Sequence, residues 1–246
     1  MIQSLRNIKR KLKIACTVNW VKTLYFNFKM FPFSIAKKLP VFFYGSVKFT
    51  SLKGTIIIDA PLKTAMIGFG QPFEMTTRSK KIAEVYLAGE FRVKGHIQFG
   101  KDYLFYVGKS AYFEMGHMSG FSSFSKLICT NRVVLGKWVR LGSETQIIDT
   151  NFHQMINTKT DEKYPKSSPI LIGDYNSISN RTSVMAKTKT PNYCVIGSNS
   201  LCNKNYIPLG ENILIGGIPS QLIKTNFSRD WEGEKELMNA WLKVKF

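Results

Sequence analysis

Apolar residues recur at an interval of six in the second half of the chain. Eight positions between residues 172 and 214 keep this interval, and most of them are apolar: Ile172, Ile178, Val184, Thr190, Ile196, Cys202, Pro208 and Leu214. A shorter run holds Leu135, Leu141 and Ile147. An amphipathic helix needs a spacing of about 3.6 residues and an amphipathic strand a spacing of two. Neither element explains an interval of six.

The interval of six predicts a chain that turns a corner every six residues, so that each face points one aliphatic side chain inward. Stacked coils of this kind bury a continuous aliphatic ladder. Gly136, Gly142, Gly173 and Gly197 directly follow apolar positions, and glycine tolerates the backbone conformations of tight corners. Small or polar residues come four places after the apolar ones: Asn176, Thr182, Thr188, Cys194 and Ser200. We therefore expect an all-β fold, a parallel β-helix; the alternative is a sandwich of short strands that keeps the interval by coincidence.

Composition divides the chain into three parts. Residues 1–44 are basic and rich in aromatic side chains, which suits either a cap on the end of the main domain or a segment at a membrane interface, and the two roles are compatible. Residues 45–217 form the predicted β-helix domain. Residues 218–246 form a tail, in which we expect a short amphipathic helix over residues 232–246. This helix is expected to pack on the open end of the stack or on a neighbouring subunit.

Charge is the unusual property of the composition. The chain has 246 residues, with 44% hydrophobic and 21% charged residues, as in ordinary globular proteins, but its formal net charge is +19. No Asp or Glu precedes Asp59, whereas eleven Lys and Arg residues do. Such a segment favours an anionic partner: a membrane surface, nucleic acid or a phosphorylated carrier. Since motifs of nucleic-acid-binding proteins are absent from the sequence, no nucleic-acid partner is expected.

The four cysteines show neither CxxC pairing nor the density of a secreted disulfide scaffold. Reduced thiols in the cytoplasm are the expectation, with peripheral contact at the inner face of the membrane left open. No secretory signal peptide is expected, and no run of 18 uncharged apolar residues predicts a membrane-spanning helix.

Two stretches resemble motifs of one enzyme family. Asp149-Thr-Asn-Phe-His153 is similar to the Asp-x-(Asp/Asn)-x-His stretch of hexapeptide-repeat acyltransferases that acetylate sugars and surface polysaccharides. Ile213-Leu-Ile-Gly-Gly-Ile-Pro-Ser-Gln-Leu-Ile-Lys224 is similar to the closing motif of that family. The repeat itself also resembles the family's hexapeptide, and the resemblance covers about residues 90–224.

The resemblance implies a left-handed parallel β-helix that is normally a homotrimer. It also implies that acetyl-CoA lies in the groove between neighbouring prisms and that a histidine acts as general base. The handedness follows from the family alone, because parallel crossovers are otherwise right-handed. The sequence departs from the family at Ser177, Asn180, Thr190 and Pro191, along the wall expected to carry the pantetheine arm. The acyl donor, acetyl-CoA or a longer acyl-CoA, is therefore less firmly indicated than the fold.

Acyl transfer from a thioester to an alcohol requires a base that removes the hydroxyl proton as the new bond forms. Histidine suits this role because its ordinary pKa is about 6.5. Of His96, His117 and His153, the last has the best context, because the repeat is interrupted by a polar stretch directly after it. We expect His153 to be the catalytic base on a loop that leaves the stack.

The other candidate residues follow from the same reasoning. Asp149 is expected either to hold the imidazole of His153 in its tautomer or to satisfy backbone amides of the loop. Asn151 is expected to contact substrate or to shape the turn, and a lesser substrate role is open to His117. Small residues are expected to line the pantetheine arm and lysines to meet the phosphates of the donor: Ser179, Ser198, Ser200, Lys204 and Lys224.

Three other functions are possible for a chain of this kind. A zinc carbonic anhydrase needs three clustered histidines, and the gaps of 21 and 36 residues between the three histidines here exclude that cluster, so no metal is expected. A serine or other small-molecule O- or N-acetyltransferase stays open, as does a non-catalytic β-helical scaffold with a membrane-binding N-terminus. The favoured function is transfer of acetyl from acetyl-CoA to a hydroxyl of a sugar, a lipid-linked saccharide or a surface-polysaccharide precursor.

Overall fold

The computed structural model of the chain describes residues 16–71 and 78–237. Its helices are short: α1 spans Trp20–Met30, α2 spans Phe33–Ala36, and one 3₁₀ turn spans Ile207–Leu209. The 21 strands of the described residues form three sheets.

Sheet 1 has nine strands, in the order β1 (Val41–Phe43), β4 (Ile67–Phe69), β7 (Ile97–Phe99), β10 (Ser119–Phe121), β13 (Arg140–Leu141), β16 (Ser177–Ile178), β18 (Cys194–Ile196), β20 (Ile213–Gly217) and β21 (Ser220–Thr225). Sheet 2 has seven, here in chain order: β2 (Val47–Leu52), β5 (Ala83–Leu87), β8 (Leu104–Val107), β11 (Lys126–Cys129), β14 (Gln146–Ile148), β17 (Ser183–Met185) and β19 (Leu201–Cys202). Sheet 3 has five: β3 (Thr55–Ile58), β6 (Glu90–Lys94), β9 (Tyr112–Gly116), β12 (Arg132–Leu135) and β15 (Ile170–Ile172).

The chain visits sheets 1, 2 and 3 in turn, and strands of successive coils pair in parallel. Among these described strands, only β20 and β21 pair antiparallel, at the C-terminal end of sheet 1. The fold is a three-sided parallel β-helix, consistent with the predicted left-handed form. We name its corners by the sheets they join: the 1–2, 2–3 and 3–1 corners. The sheets run from Val41 to Thr225, and the division at residues 44 and 217 stays a prediction.

The predicted ladder occupies the interior of the C-terminal half. Ile172, Ile178, Val184, Thr190, Ile196 and Cys202 are each at most 3% exposed. The interval is lost after Cys202, and the expectation for Pro208 and Leu214 is wrong. Pro208 is exposed in the 3₁₀ turn, and Tyr206, Ile213 and Ile215 are buried in that coil instead. The physical reason is one extra residue: Ile178 pairs with Ile196, eighteen residues later, but Ile196 pairs with Ile215, nineteen later.

Small polar residues at the corners satisfy the backbone there. Thr182 and Thr188 are fully buried, and their hydroxyls donate to the carbonyl oxygens of Ser179 and Met185 at 2.9 and 2.6 Å. Asn176 donates to Pro191 O of the next coil at 2.8 Å. A buried carbonyl without a partner is costly, which explains why residues of this type follow the apolar positions.

The N-terminal half fills the same interior with aromatic rings. Phe43, Phe69, Phe99 and Phe121 stack along sheet 1, with successive ring centroids 5.0, 4.6 and 5.0 Å apart. The coils are longer here, since Phe99 pairs with Phe121 twenty-two residues later. Larger inward rings and longer corners explain why the interval of six is irregular in this half of the sequence.

Helix α1 covers the open edge of the N-terminal coil. Phe26 packs on Phe43, with ring centroids 4.9 Å apart. Asn27 donates to Val41 O at 2.7 Å and accepts from Val41 N at 3.2 Å, and Thr23 Oγ1 accepts from Phe43 N at 3.0 Å. Side chains of the helix therefore complete the hydrogen bonding of edge strand β1, which would otherwise be open to pairing with another chain.

The C-terminal tail packs along the 3–1 corner. Trp231 is 6% exposed and its ring lies 5.7 Å from that of Tyr175, which stacks on Tyr193 at 4.8 Å. Residues 235–237 are helical, and the rest of the helix predicted over residues 232–246 lies outside the described residues.

All four cysteines are free thiols, and Cys129, Cys194 and Cys202 are buried. Burial raises the pKa of Cys194 to about 12, so this thiol is neutral at pH 7. Within the described ranges, no helix is long and apolar enough to span a membrane.

Candidate active site

A long loop at the 2–3 corner interrupts the stack between β14 and β15. Antiparallel bridges join Thr150 to Ser167 and Ile156 to Lys163, so residues 149–169 project as a hairpin. The register of the sheets continues beneath it, because Val133 of β12 pairs with Ile170 of β15. The loop is thus an insertion that leaves the prism intact, as the polar interruption of the repeat predicts.

Asp149 anchors the base of this loop. The residue is fully buried, and its Oδ1 accepts from the amide and the hydroxyl of Thr130 at 2.8 and 2.9 Å. Its Oδ2 accepts from Asn131 N at 2.8 Å. Of the two roles expected for Asp149, the structure therefore shows the satisfaction of backbone amides. Among the described residues, no hydrogen bond joins its carboxylate to the imidazole of His153, and its role in holding the tautomer stays a prediction.

His153 lies on the outside of the hairpin, immediately after a tight turn. The hydroxyl of Thr150 accepts from Phe152 N at 3.0 Å, Phe152 has a φ of 59°, and His153 N donates to Asn151 O at 2.7 Å. His153 and Asn151 are both exposed. An imidazole here is accessible to a bound substrate. The catalytic role of His153 and the substrate role of Asn151 stay predictions.

A basic groove of about 580 Å³ lies at the same corner, beside the end of the loop. Its cationic lining residues are Arg132, Lys187, Lys189 and Lys204, and Ser168 and Pro169 at the end of the loop also line it. Lys189 forms parallel bridges with both Leu171 and Asn205, so three successive coils meet in the groove. No acidic residue lines it within the described part of the chain. The groove is therefore suited to an anionic ligand that extends from the loop toward the C-terminal coils.

The structure does not bring the five predicted donor residues together, and only Lys204 lines the basic groove. Lys204 lies in the basic groove, with Nζ donating to Gln221 at 2.9 Å. Ser179 and Ser198 follow β16 and β18 and therefore lie at the 1–2 corner. Ser200 is 3% exposed and its hydroxyl accepts from Gly217 N at 3.1 Å, so it supports the closing turn. Lys224 lies exposed on β21, with Nζ 5.4 Å from the ring of Phe227.

His117 lies at the 3–1 corner, away from the loop. Its Nδ1 accepts from His96 N at 3.2 Å, and it lines a cleft of about 560 Å³ together with His96, Lys63 and Lys94. In the single chain the structure does not bring His117 and His153 to the same corner. Among the described residues, no three or more His, Cys, Asp or Glu side chains form a group that could hold a metal ion.

Sequence reasoning missed Arg132, Lys187 and Lys189. In a chain with 35 Lys and Arg residues, single cations carry little information. The repeat nevertheless indicated where two of them lie. Thr188 stands four residues after the inward Val184, which is a corner position in the repeat, and Lys187 and Lys189 flank Thr188.

Comparison with protein-family models gives no match, and comparison with curated proteins gives none. Solved structures do match. The polySia-specific acetyltransferase NeuO is 13% identical over 77% of this chain and 78% of its own, with a TM-score of 0.47. AntD, an N-acyltransferase from Bacillus cereus in complex with dTDP and 3-hydroxybutyryl-CoA, is 12% identical over 82% of this chain and 88% of its own, with a TM-score of 0.41.

A hexapeptide-repeat-containing acetyltransferase from Vibrio cholerae O1 biovar eltor, complexed with acetyl coenzyme A, also matches. It is 16% identical over 55% of this chain and 64% of its own, with a TM-score of 0.38. Since all three TM-scores lie below 0.5, the fold rests on this chain's own strand pairing, and the likenesses assign no activity.

Replacing Asp149 with Ala should lower the free energy of unfolding by about 2–4 kcal/mol, because the amides of Thr130 and Asn131 lose a buried, charged acceptor. Denaturant unfolding measures the change. Asp174→Ala is the matched control: Asp174 also accepts from a corner amide, that of Lys137 at 2.9 Å, but its side chain is 37% exposed. A loss no larger than that of the control would contradict the anchoring role of Asp149.

Proposed function

We propose that this protein is an acyl-CoA-dependent acyltransferase in which His153 activates a sugar hydroxyl for acetyl transfer from acetyl-CoA. The observation that carries the proposal is the basic groove beside the His153 loop. Coenzyme A carries its phosphates at the far end of an extended arm, so a donor laid along the 2–3 corner can present its thioester to the loop and its phosphates to lysines further along.

The chemistry requires one base and no acyl-enzyme intermediate, because the acceptor attacks the donor directly. The imidazole of His153 takes the proton of the acceptor hydroxyl as the oxygen attacks the thioester carbonyl. The tetrahedral intermediate then expels the thiolate of coenzyme A as the carbon–sulfur bond breaks, and the imidazolium returns the proton to that sulfur. The products are the acetyl ester and free coenzyme A, and the base is regenerated.

The choice of a saccharide acceptor rests on the Asp-x-Asn-x-His stretch, which resembles the branch of the family that acetylates sugars and polysaccharides. The groove favours binding of an anionic donor, because its lysines and Arg132 form no ion pair with a carboxylate among the described residues. A phosphate that enters the groove therefore does not have to displace an acidic side chain.

A homotrimer is part of the proposal, because the His153 loop exposes an apolar surface. Phe152, Met155, Ile156 and Tyr164 are 57, 48, 48 and 43% exposed. Large exposed apolar side chains concentrated in one loop favour a contact with another protein chain. A neighbouring prism packed against the loop would cover these side chains and close the donor groove from its open side.

Replacing His153 with Ala should lower the rate of thiol release from acetyl-CoA with a saccharide acceptor by about 10²–10⁴, the usual contribution of a general base. Unfolding should not change, because the side chain is exposed. Lys159→Ala, an exposed change in the same loop, is the control and should keep full activity. Equal turnover by the His153 variant and the wild type would remove His153 from the mechanism.

Replacing Lys187, Lys189 and Lys204 together with Ala should raise the KM for acetyl-CoA by about tenfold or more, equivalent to a loss of about 1.4 kcal/mol of binding. The KM for S-acetyl-N-acetylcysteamine should not change, since this donor keeps the thioester but has no phosphates. Lys126→Ala, an exposed lysine on the flat face of sheet 2, is the matched control. An equal rise for both donors would contradict phosphate binding in the groove.

Replacing Met155 and Ile156 with Glu should convert a trimer to single chains, because two buried charges would then lie in the contact. Sedimentation equilibrium measures the mass. Ile82→Glu is the control, since Ile82 is 61% exposed but lies outside the loop. A wild-type mass of one chain would exclude the trimer, whatever the variants do.

A further inference from the structure

The outward face of α1 is a continuous apolar surface. Val21, Leu24, Tyr25, Phe28 and Phe33 are 77, 43, 56, 49 and 70% exposed; we call them the aromatic face. The first four follow one side of the helix, since residues three and four apart lie on the same side. Phe33 of α2 extends the surface, because its ring lies 6.2 Å from that of Phe28.

The opposite side of α1 is held firmly to the prism. Thr23, Phe26 and Asn27 are at most 1% exposed and are bonded to or packed on β1. The aromatic face therefore cannot turn inward to bury itself. Its exposure is fixed by the same contacts that cap the β-helix.

Exposed lysines lie beside the aromatic face. Lys29 directly follows Phe28 in α1, Lys37 and Lys38 directly follow α2, and Lys37 Nζ lies 6.0 Å from the ring of Phe33. The chain has no acidic residue before Asp59. A second copy of this surface would bring like charges together, which disfavours self-association. An anionic lipid surface would meet both properties, with headgroups for the lysines and a boundary region for the rings.

We propose that the aromatic face of α1 and α2 binds the surface of an anionic lipid bilayer. The rings enter the boundary between headgroups and acyl chains while the lysines pair with acidic headgroups. The prism then stands with its N-terminal end on the membrane and its 2–3 corner in water. The interaction is independent of the proposed transfer reaction and places the enzyme where lipid-linked acceptors are found.

Vesicle co-sedimentation of the full chain tests the proposal, with phosphatidylcholine vesicles that contain or lack phosphatidylserine. The wild type should bind only the vesicles with phosphatidylserine, and the binding should weaken as salt rises, because exposed charges are screened. Equal binding to both vesicle types, or none to either at low salt, would overturn the proposal.

Two variants separate the contributions. Leu24→Ser with Phe28→Ser and Phe33→Ser should lower the partition coefficient at least tenfold at every salt concentration. Lys29→Gln with Lys37→Gln and Lys38→Gln should lower it at low salt and leave little difference at high salt. Ile82→Ser, an equally exposed apolar position elsewhere, should behave as wild type.

Both variants keep residues 1–15, so any charge there acts equally in all the proteins compared. Binding of the serine variant at the wild-type level would overturn the proposal. A change in the sedimentation mass of this variant without lipid would also overturn it, because the aromatic face would then be a contact between copies of the chain. Acetyl transfer to a soluble saccharide should be unchanged in both variants. Failure of the transfer reaction in the wild type would therefore be seen separately from failure of membrane binding.

Discussion

The structure depends on one constraint: each coil must hydrogen-bond to the coils on both sides while pointing its apolar side chains into a narrow prism. Parallel pairing fixes the backbone of every face, and interior volume fixes the size of the inward residue. A long insertion can then be accommodated only at a corner. The 149–169 insertion obeys this limit, because Val133 still pairs with Ile170 across it.

The same constraint decides where chemistry can be carried. Side chains on the faces alternate between a filled interior and a flat exterior, so the groove and the projecting loop both arise at the 2–3 corner. Asp149 shows how the loop is secured: a buried carboxylate binds two amides and a hydroxyl of the preceding coil. The loop can therefore hold His153 outside the prism without loosening the stack beneath it.

The ends of the stack present a different physical problem. At the N-terminal end, Thr23 and Asn27 supply the hydrogen bonds that a further coil would have supplied to β1. At the C-terminal end, β21 turns back antiparallel on β20 and closes sheet 1. The N-terminal cap leaves the aromatic face on the second side of α1 exposed, and lysines lie beside it.

The sequence by itself determined the architecture, because a period of six has few physical explanations and because Ile172 to Cys202 keep it without error. It also predicted a loop directly after His153, where the interval of six is lost, whereas the structure begins the loop earlier, after β14. Only the tertiary structure decided the partners of Asp149, the departure of Pro208 and Leu214 from the ladder, and the meeting of Arg132, Lys187, Lys189 and Lys204 in one groove. The reason is that periodicity reports which side of a local element faces inward, whereas these features depend on which coils lie next to one another and how many residues each corner holds.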